Sequence, residues 1–165
     1  LGLGDRGMMH HLVALAAVVL LITPTQLFAC SADIAELRGS WGQVRFSVEI
    51  DDDDQERGQG LMFREEMAAR NGMLFIYDRP QTVGFWMRNT LLPLDMVFVD
   101  DRGVVTRVHE NAVPGDETLI DGGPGVQYVL EINGGLASRY GIAVGSELRH
   151  PRVDQSEAVW PCTPN

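Results

Sequence analysis

The chain has 165 residues, 45% of them apolar, which suits one globular domain and is short for two. Its 13 basic residues are all Arg and stand against 23 Asp and Glu, for a formal net charge of -10. A surface of that sign repels phosphate backbones and anionic head groups, which argues against nucleic acid and a peripheral membrane patch as partners.

In chain order the first feature is Leu12 to Ile22, LVALAAVVLLI, an unbroken apolar run with no amphipathic period. It is well short of the ~20 residues a spanning helix needs but suits the centre of a secretory signal. Residues 1–30 are therefore expected as a signal peptide, with the protein exported to the periplasm or the outer side of the membrane. The flank Leu27-Phe28-Ala29-Cys30-Ser31 resembles a lipoprotein signal, which makes Cys30 a candidate lipidation site. On that reading the only membrane contact is the signal segment or a lipid on Cys30. The chain has two Cys, so a second branch is open: an unlipidated Cys30 can bridge to Cys162 in an oxidising compartment. Two Cys without a neighbouring His pair do not make a zinc site, and no metal or other cofactor is expected.

Residues 31–40 read as a polar linker to a single domain over 41–150, followed by a disordered tail over 151–165. Val44, Phe46, Val48 and Ile50 alternate with Arg45, Ser47 and Glu49, as in a half-buried strand. The acids Asp51 to Asp54 then suit a helix start, with Asp53 and Glu56 at capping-box spacing, and a short helix is expected within 55–67. Gly58 and Gly60 each weaken it by roughly 1 kcal/mol relative to Ala. Met73 to Tyr77, MLFIY, reads as a strand buried on both faces. Thr82 to Arg88 and Leu94 to Val99 read as a hairpin joined by Asn89 to Pro93, which would set Arg88 opposite Asp95 as a cross-strand ion pair.

Val104 to His109 returns as a strand, and Asn111 to Gly125, with its Gly and Pro residues, reads as a long loop. Gln127 to Asn133 alternates again, with Tyr128, Leu130 and Ile132 inward and Glu131 on the other side. Leu136 to Tyr140 makes a short helix that stops at Gly141, and Ser146 to His150 is a closing strand. The fold class that follows is mainly β: a compact barrel- or sandwich-like domain of antiparallel hairpins with one or two short helices.

Four stretches, GLMFREEM (60–67), GMLF (72–75), FWMRNTLLPLD (85–95) and LEINGG (130–135), together resemble the domain of unknown function 192 family over roughly Trp41 to His150. Arg88 stands where Lys is common in that family, which keeps the charge and changes the hydrogen-bond geometry. The resemblance implies a compact, mostly β, often exported domain, and names no reaction.

Three kinds of chemistry fit the residues. The first is a non-catalytic binding or accessory module for a small molecule or an envelope protein, with a shallow site at the Asn89–Pro93 loop. Its candidate residues are Arg64, Trp86, Arg88, Asn89, Thr90, Asp95 and Glu131: an aromatic plate, paired donors and acceptors, and charges that hold a ligand's polar ends. Turn capping and cross-strand pairing account for most of the same residues without a ligand. The second is a hydrolase using Asp95, His109 and Glu131, although no Ser or Cys sits in a nucleophile elbow. The third is Cu(I) handling by Met62, Met67, Met73, Met87 and Met96, all of which also suit core positions.

Overall fold

The structure is a computed structural model that describes residue 2 and residues 30–162; the expected signal segment lies outside the described residues. Seven strands form one sheet: β1 (Ile34–Gly39), β2 (Gly42–Asp51), β3 (Asn71–Phe85), β4 (Leu94–Val99), β5 (Val105–Ala112), β6 (Ile120–Asn133) and β7 (Glu147–Arg149). Helix α1 (Asp54–Gln59) follows β2, and α2 (Leu136–Tyr140) follows β6. The order across the sheet is β5-β4-β6-β3-β2-β1-β7, antiparallel except for the β2–β3 pair. The two edges meet at one end, where Val104 bridges Glu147, so the sheet curls into a half-barrel.

The expected β-rich class is what forms, with a different order of strands. β3 and β4 do not pair as a hairpin: β6 lies between them and bonds to both. MLFIY and the stretch from Thr82 are one long bent strand, β3, whose register against β6 shifts between Ile76 and Gln81. The expected glycine loop is largely strand too, because β6 begins at Ile120 and runs through Gly122 to Gly125. Gly123 and Gly125 take positive φ there, and a Cβ on Gly122 would lie 2.5 Å from the Phe98 ring. Glycine in this strand marks bulges and close packing and not a disordered connection.

Both faces of the sheet are covered, which is why β3 and β4 carry continuous apolar runs. Leu74 and Ile76 of β3, Val97 and Val99 of β4, and Tyr128, Leu130 and Ile132 of β6 point into one core with Phe46, Leu37 and α2. The residues between them, Met73, Phe75, Met96, Phe98 and Val129, point into a second core with Leu61, Met87 and Leu94. Each fully buried aliphatic or aromatic side chain contributes roughly 1.5–3 kcal/mol relative to exposure.

The segment expected as a linker contains β1. Glu36, buried on β1, sits in register between Arg45 of β2 and Arg149 of β7 and forms an ion pair with each. The following segment, expected as a disordered tail, packs against the domain as far as Cys162. Val153 and Trp160 are buried, and the guanidinium groups of Arg38 and Arg149 lie 4.4 and 4.3 Å from the Trp160 ring centre. Cys30 and Cys162 form a disulfide that ties the two ends together across 132 residues. The bond occupies the Cys30 sulfur, so that sulfur carries no lipid while it lasts. Closing a loop of this length restricts the unfolded chain by about 4–5 kcal/mol in the chain-entropy account.

Candidate functional site

Between α1 and the turn after β3 a cleft of about 290 Å³ opens over the second core. Its floor is Phe75 of β3 and Glu131 of β6. Leu61, Met62 and Arg57 form one wall, and Phe85, Trp86 and Thr90 form the other, with Tyr77 at one end.

Local sequence explains the first wall. Asp53 caps α1 by accepting from the Glu56 amide at 2.8 Å, and the helix stops after one and a half turns at Gly60, whose φ is 49°. A Cβ at Gly60 would press on the Phe75 ring at 3.1 Å, so glycine lets the chain turn down beside the floor. Arg57 donates to the Ile76 carbonyl at 2.6 Å and to Asp54 at 2.7 Å, and its guanidinium covers the Tyr77 ring at 5.0 Å.

The second wall is a turn held from two sides. The Met87 amide donates to the Asp116 carbonyl at 2.7 Å, and the Gly115 amide donates to Met87 and Thr90 carbonyls at 3.0 and 3.1 Å. From the other side the Phe63 amide donates to the Asn89 carbonyl at 2.8 Å. Phe63 and Asn89 both have positive φ, 62° and 55°. That conformation is ordinary for Asn and unusual for Phe. Segments 60–64, 86–92 and 113–119 therefore form one bonded group, in which the first two line the cleft and the third supports the turn.

Glu131 is the chemically distinctive member. It is 4% exposed, and no described residue donates a hydrogen bond or forms an ion pair with its carboxyl. Burial, followed by the charge of Asp51, raises its pKa from 4.5 to about 8. Asp51, at the end of β2, is also raised, to about 6, first by burial and then by Glu56, Glu49 and Asp53. Glu49, which shares a register row with Met73 and Glu131, is taken up by Arg64 through two contacts of 2.6 and 2.8 Å.

The structure thus divides the seven candidates. Trp86, Thr90 and Glu131 share the cleft, and Asn89 lies on its rim with its amide 4.0 Å from the Met62 sulfur. Arg64 is paired with Glu49. Arg88 does not pair with Asp95: it lies outside, 5.6 Å from the Trp86 ring centre. Asp95 is fully buried on the opposite face of the sheet, where it accepts from the amides of Asn111, Gly135 and Ala137 at 2.8, 2.9 and 2.7 Å. The expected ion pair fails because the hairpin that would align the two residues does not form. Asp95 instead caps the start of α2, whose own cap residue, Gly135, has no side chain to offer.

That placement also separates the hydrolase residues. Asp95 pairs in register with Ile132, so its side chain points away from Glu131, while His109 and Glu131 flank Met96 on either side. The three do not converge. Met73, Met87 and Met96 are buried in the second core, with Met67 packed against it. Sequence reasoning missed Arg57, Leu61, Phe75 and Tyr77 as cleft residues. The clearest signal for the cleft was Glu131, an acid set among the apolar residues Tyr128 to Ile132 of a central strand.

A family model described as "Uncharacterized ACR" matches residues 36–150 of the chain. No curated protein matches it. The chain resembles a crystal structure of a protein of unknown function from Novosphingobium aromaticivorans DSM 12444, with 41% identity and a TM-score of 0.68 over 70% of this chain and 82% of that one. It also resembles a Sinorhizobium meliloti 1021 protein proposed as a transcription regulator, with 40% identity and a TM-score of 0.69 over 73% of this chain and 94% of that one.

Proposed function

The chain belongs to the domain of unknown function 192 family, and from that premise we propose that it is a non-catalytic binding module whose cleft takes a ligand bearing an amine or similar hydrogen-bond donor. The carrying observation is the Glu131 carboxyl, buried at the floor of an aromatic-lined cleft without a donor among the described residues. No fully buried side-chain oxygen among the described residues is left without a partner, so the Glu131 oxygens open onto the cleft, where a ligand donor that replaces water gains about 0.5–1.5 kcal/mol. Phe85 and Trp86 supply apolar surface for the body of such a ligand, and a cation beside Trp86 gains further attraction, whereas the Tyr77 ring is already covered by Arg57. No Ser or Cys lines the cleft, and the Thr90 hydroxyl is spent on the Arg88 carbonyl at 3.3 Å, which favours binding over acyl transfer.

Export forms part of this reading. It is supported by the apolar run at Leu12 to Ile22 and by the Cys30–Cys162 disulfide, which persists in oxidising compartments. A native chain found by mass spectrometry to begin at Met8 or Met9 would remove it. The regulator role proposed for the Sinorhizobium protein finds no support in a net charge of -10, which disfavours DNA.

The test uses benzylamine and its neutral counterpart benzamide as probes, titrated calorimetrically into the oxidised protein. Saturable one-to-one binding of benzylamine is expected, weakened at least about tenfold by Glu131→Gln, the equivalent of 1.4 kcal/mol. Benzylamine binding that is absent, or equal in both proteins, would overturn the cleft as an amine site.

A further inference from the structure

Six large apolar residues are exposed among the described residues: Phe63, Trp86, Leu91, Val113, Leu119 and Val144. All but Val144 lie on the three segments that bond to one another beside the cleft. Scattered exposed apolar residues are ordinary, whereas five of them on three mutually bonded segments, with Trp86 itself lining the cleft and Leu119 the hollow beside it, mark an interaction surface. Phe63 makes the point most clearly. Its backbone takes a conformation uncommon for a bulky residue, and the residue remains 65% exposed. Nothing in the described domain uses that ring.

Beside Trp86 the patch continues into a second hollow formed by Gly84, Phe85, Glu117 and Leu119. A Cβ on Gly84 would lie 2.7 Å from the Leu119 side chain, so the glycine lets Leu119 lie close over the strand. Trp86 therefore stands as a ridge between two hollows of similar size, one with the Glu131 carboxyl at its floor and one mainly apolar. A small amine fills the first only. A polypeptide with a basic side chain beside apolar ones fills both.

We propose that the cleft and its apolar rim form a docking surface for an extended protein segment that inserts a Lys side chain toward Glu131 and lays neighbouring apolar side chains on Phe63, Leu91 and Leu119. The proposal rests on the amine reading of the cleft and adds the kind of partner. Charge favours a basic occupant: the protein as a whole carries a net charge of -10, the Arg57 guanidinium in the cleft wall is held by Asp54, and a Lys ammonium at the floor would draw the Glu131 carboxyl into its ionised form. The slender lysine stem suits passage between Met62 and Trp86, while its methylenes meet apolar walls.

The experiment compares acetyl-Leu-Lys-Leu-amide, its norleucine counterpart acetyl-Leu-norleucine-Leu-amide, and benzylamine, each titrated into the full oxidised protein and into Phe63→Asn, Leu91→Asn and Leu119→Asn. Asn tolerates the positive φ at position 63, and thermal melts confirm that each variant is folded. The lysine peptide is expected to bind at least tenfold more tightly than both comparison ligands. Each rim variant should weaken the peptide about threefold or more and leave benzylamine unchanged. Peptide affinity no greater than that of benzylamine, or insensitive to all three rim variants, would overturn the docking surface while leaving the amine site standing. Loss of benzylamine and peptide binding together in wild type would bring down both readings. Sedimentation gives the remaining outcome: a dimer that the rim variants abolish and the peptide does not dissociate would assign the surface to a second copy of the chain and refute a peptide partner.

Discussion

Asp95 and Glu131 lie on neighbouring paired strands, and both are almost wholly buried, yet they do opposite things. Asp95 receives three backbone amides, one from the end of β5 and two from the start of α2, and fastens both to β4. Glu131, one position from the residue paired with Asp95, faces the other side of the sheet and receives none. Burial and charge do not distinguish an architectural acid from a functional one. The count of donors already spent on it does, because a fully satisfied carboxylate has nothing left for a ligand.

The largest expected effect follows from the satisfied member of the pair. Asp95→Ala would leave three backbone N–H groups without their acceptor, two of them at a helix start, and should destabilise the fold by about 3–5 kcal/mol in urea unfolding. Asp95→Asn keeps one acceptor oxygen and should cost less. A loss under about 1 kcal/mol for the alanine variant would mean that the amides find other acceptors, and the contrast with Glu131 would collapse.

Glu131 should behave in the reverse sense, and its effect depends on pH. Its folded pKa of about 8 lies above the ordinary 4.5, so the folded state holds a proton that the unfolded state gives up. That contribution to stability is complete below pH 4.5 and is lost as pH rises to about 8, at up to about 1.4 kcal/mol per pH unit. Glu131→Gln removes the titrating group, so the variant should gain on wild type across that window, by a few kcal/mol at pH 9 relative to their difference at pH 4.5. Parallel stability curves would show that the carboxyl is ordinarily solvated, and the case for an unmatched group in the cleft would go with it. In the same window benzylamine affinity should rise with pH, because the ammonium ion binds the ionised carboxyl.

What could be read from the chain followed local physics. The alternation of Val44, Phe46, Val48 and Ile50 predicts β2, the run MLFIY predicts a strand covered on both faces, and Leu136 to Tyr140 with Gly141 predicts α2. The elements that were not legible depend on partners far away in sequence. β1 presents only Ala35 and Leu37 as an inward pair, and its polar Glu36 becomes a strand residue through Arg45 and Arg149, the latter 113 positions distant. Trp160 is buried because two arginines from β1 and β7 lie against its ring. The site divides in the same way. Trp86, Thr90 and Glu131 stood out by type, whereas Arg57 and Tyr77 join the cleft only because β2 and β3 run parallel and bring α1 back across the floor.

Arg88 tests the same distinction at its smallest scale. The short connection Asn89 to Pro93 suggests two paired strands and hence a bond from Arg88 to Asp95. With β6 inserted between β3 and β4, the turn must cross that strand's end, and Arg88 emerges on the outer surface against Trp86. An exposed cation on an indole contributes roughly 0.5–1 kcal/mol, so Arg88→Ala should lower stability by no more than that, in contrast with the several kcal/mol at Asp95. A double-mutant cycle makes the comparison direct. Coupling between Arg88 and Asp95 should fall within about 0.5 kcal/mol of zero, as for sites without shared partners, while coupling between Arg88 and Trp86 should be measurable. A coupling above 1 kcal/mol between Arg88 and Asp95 would restore the ion pair that the turn suggests, and with it a strand order in which β3 and β4 are neighbours.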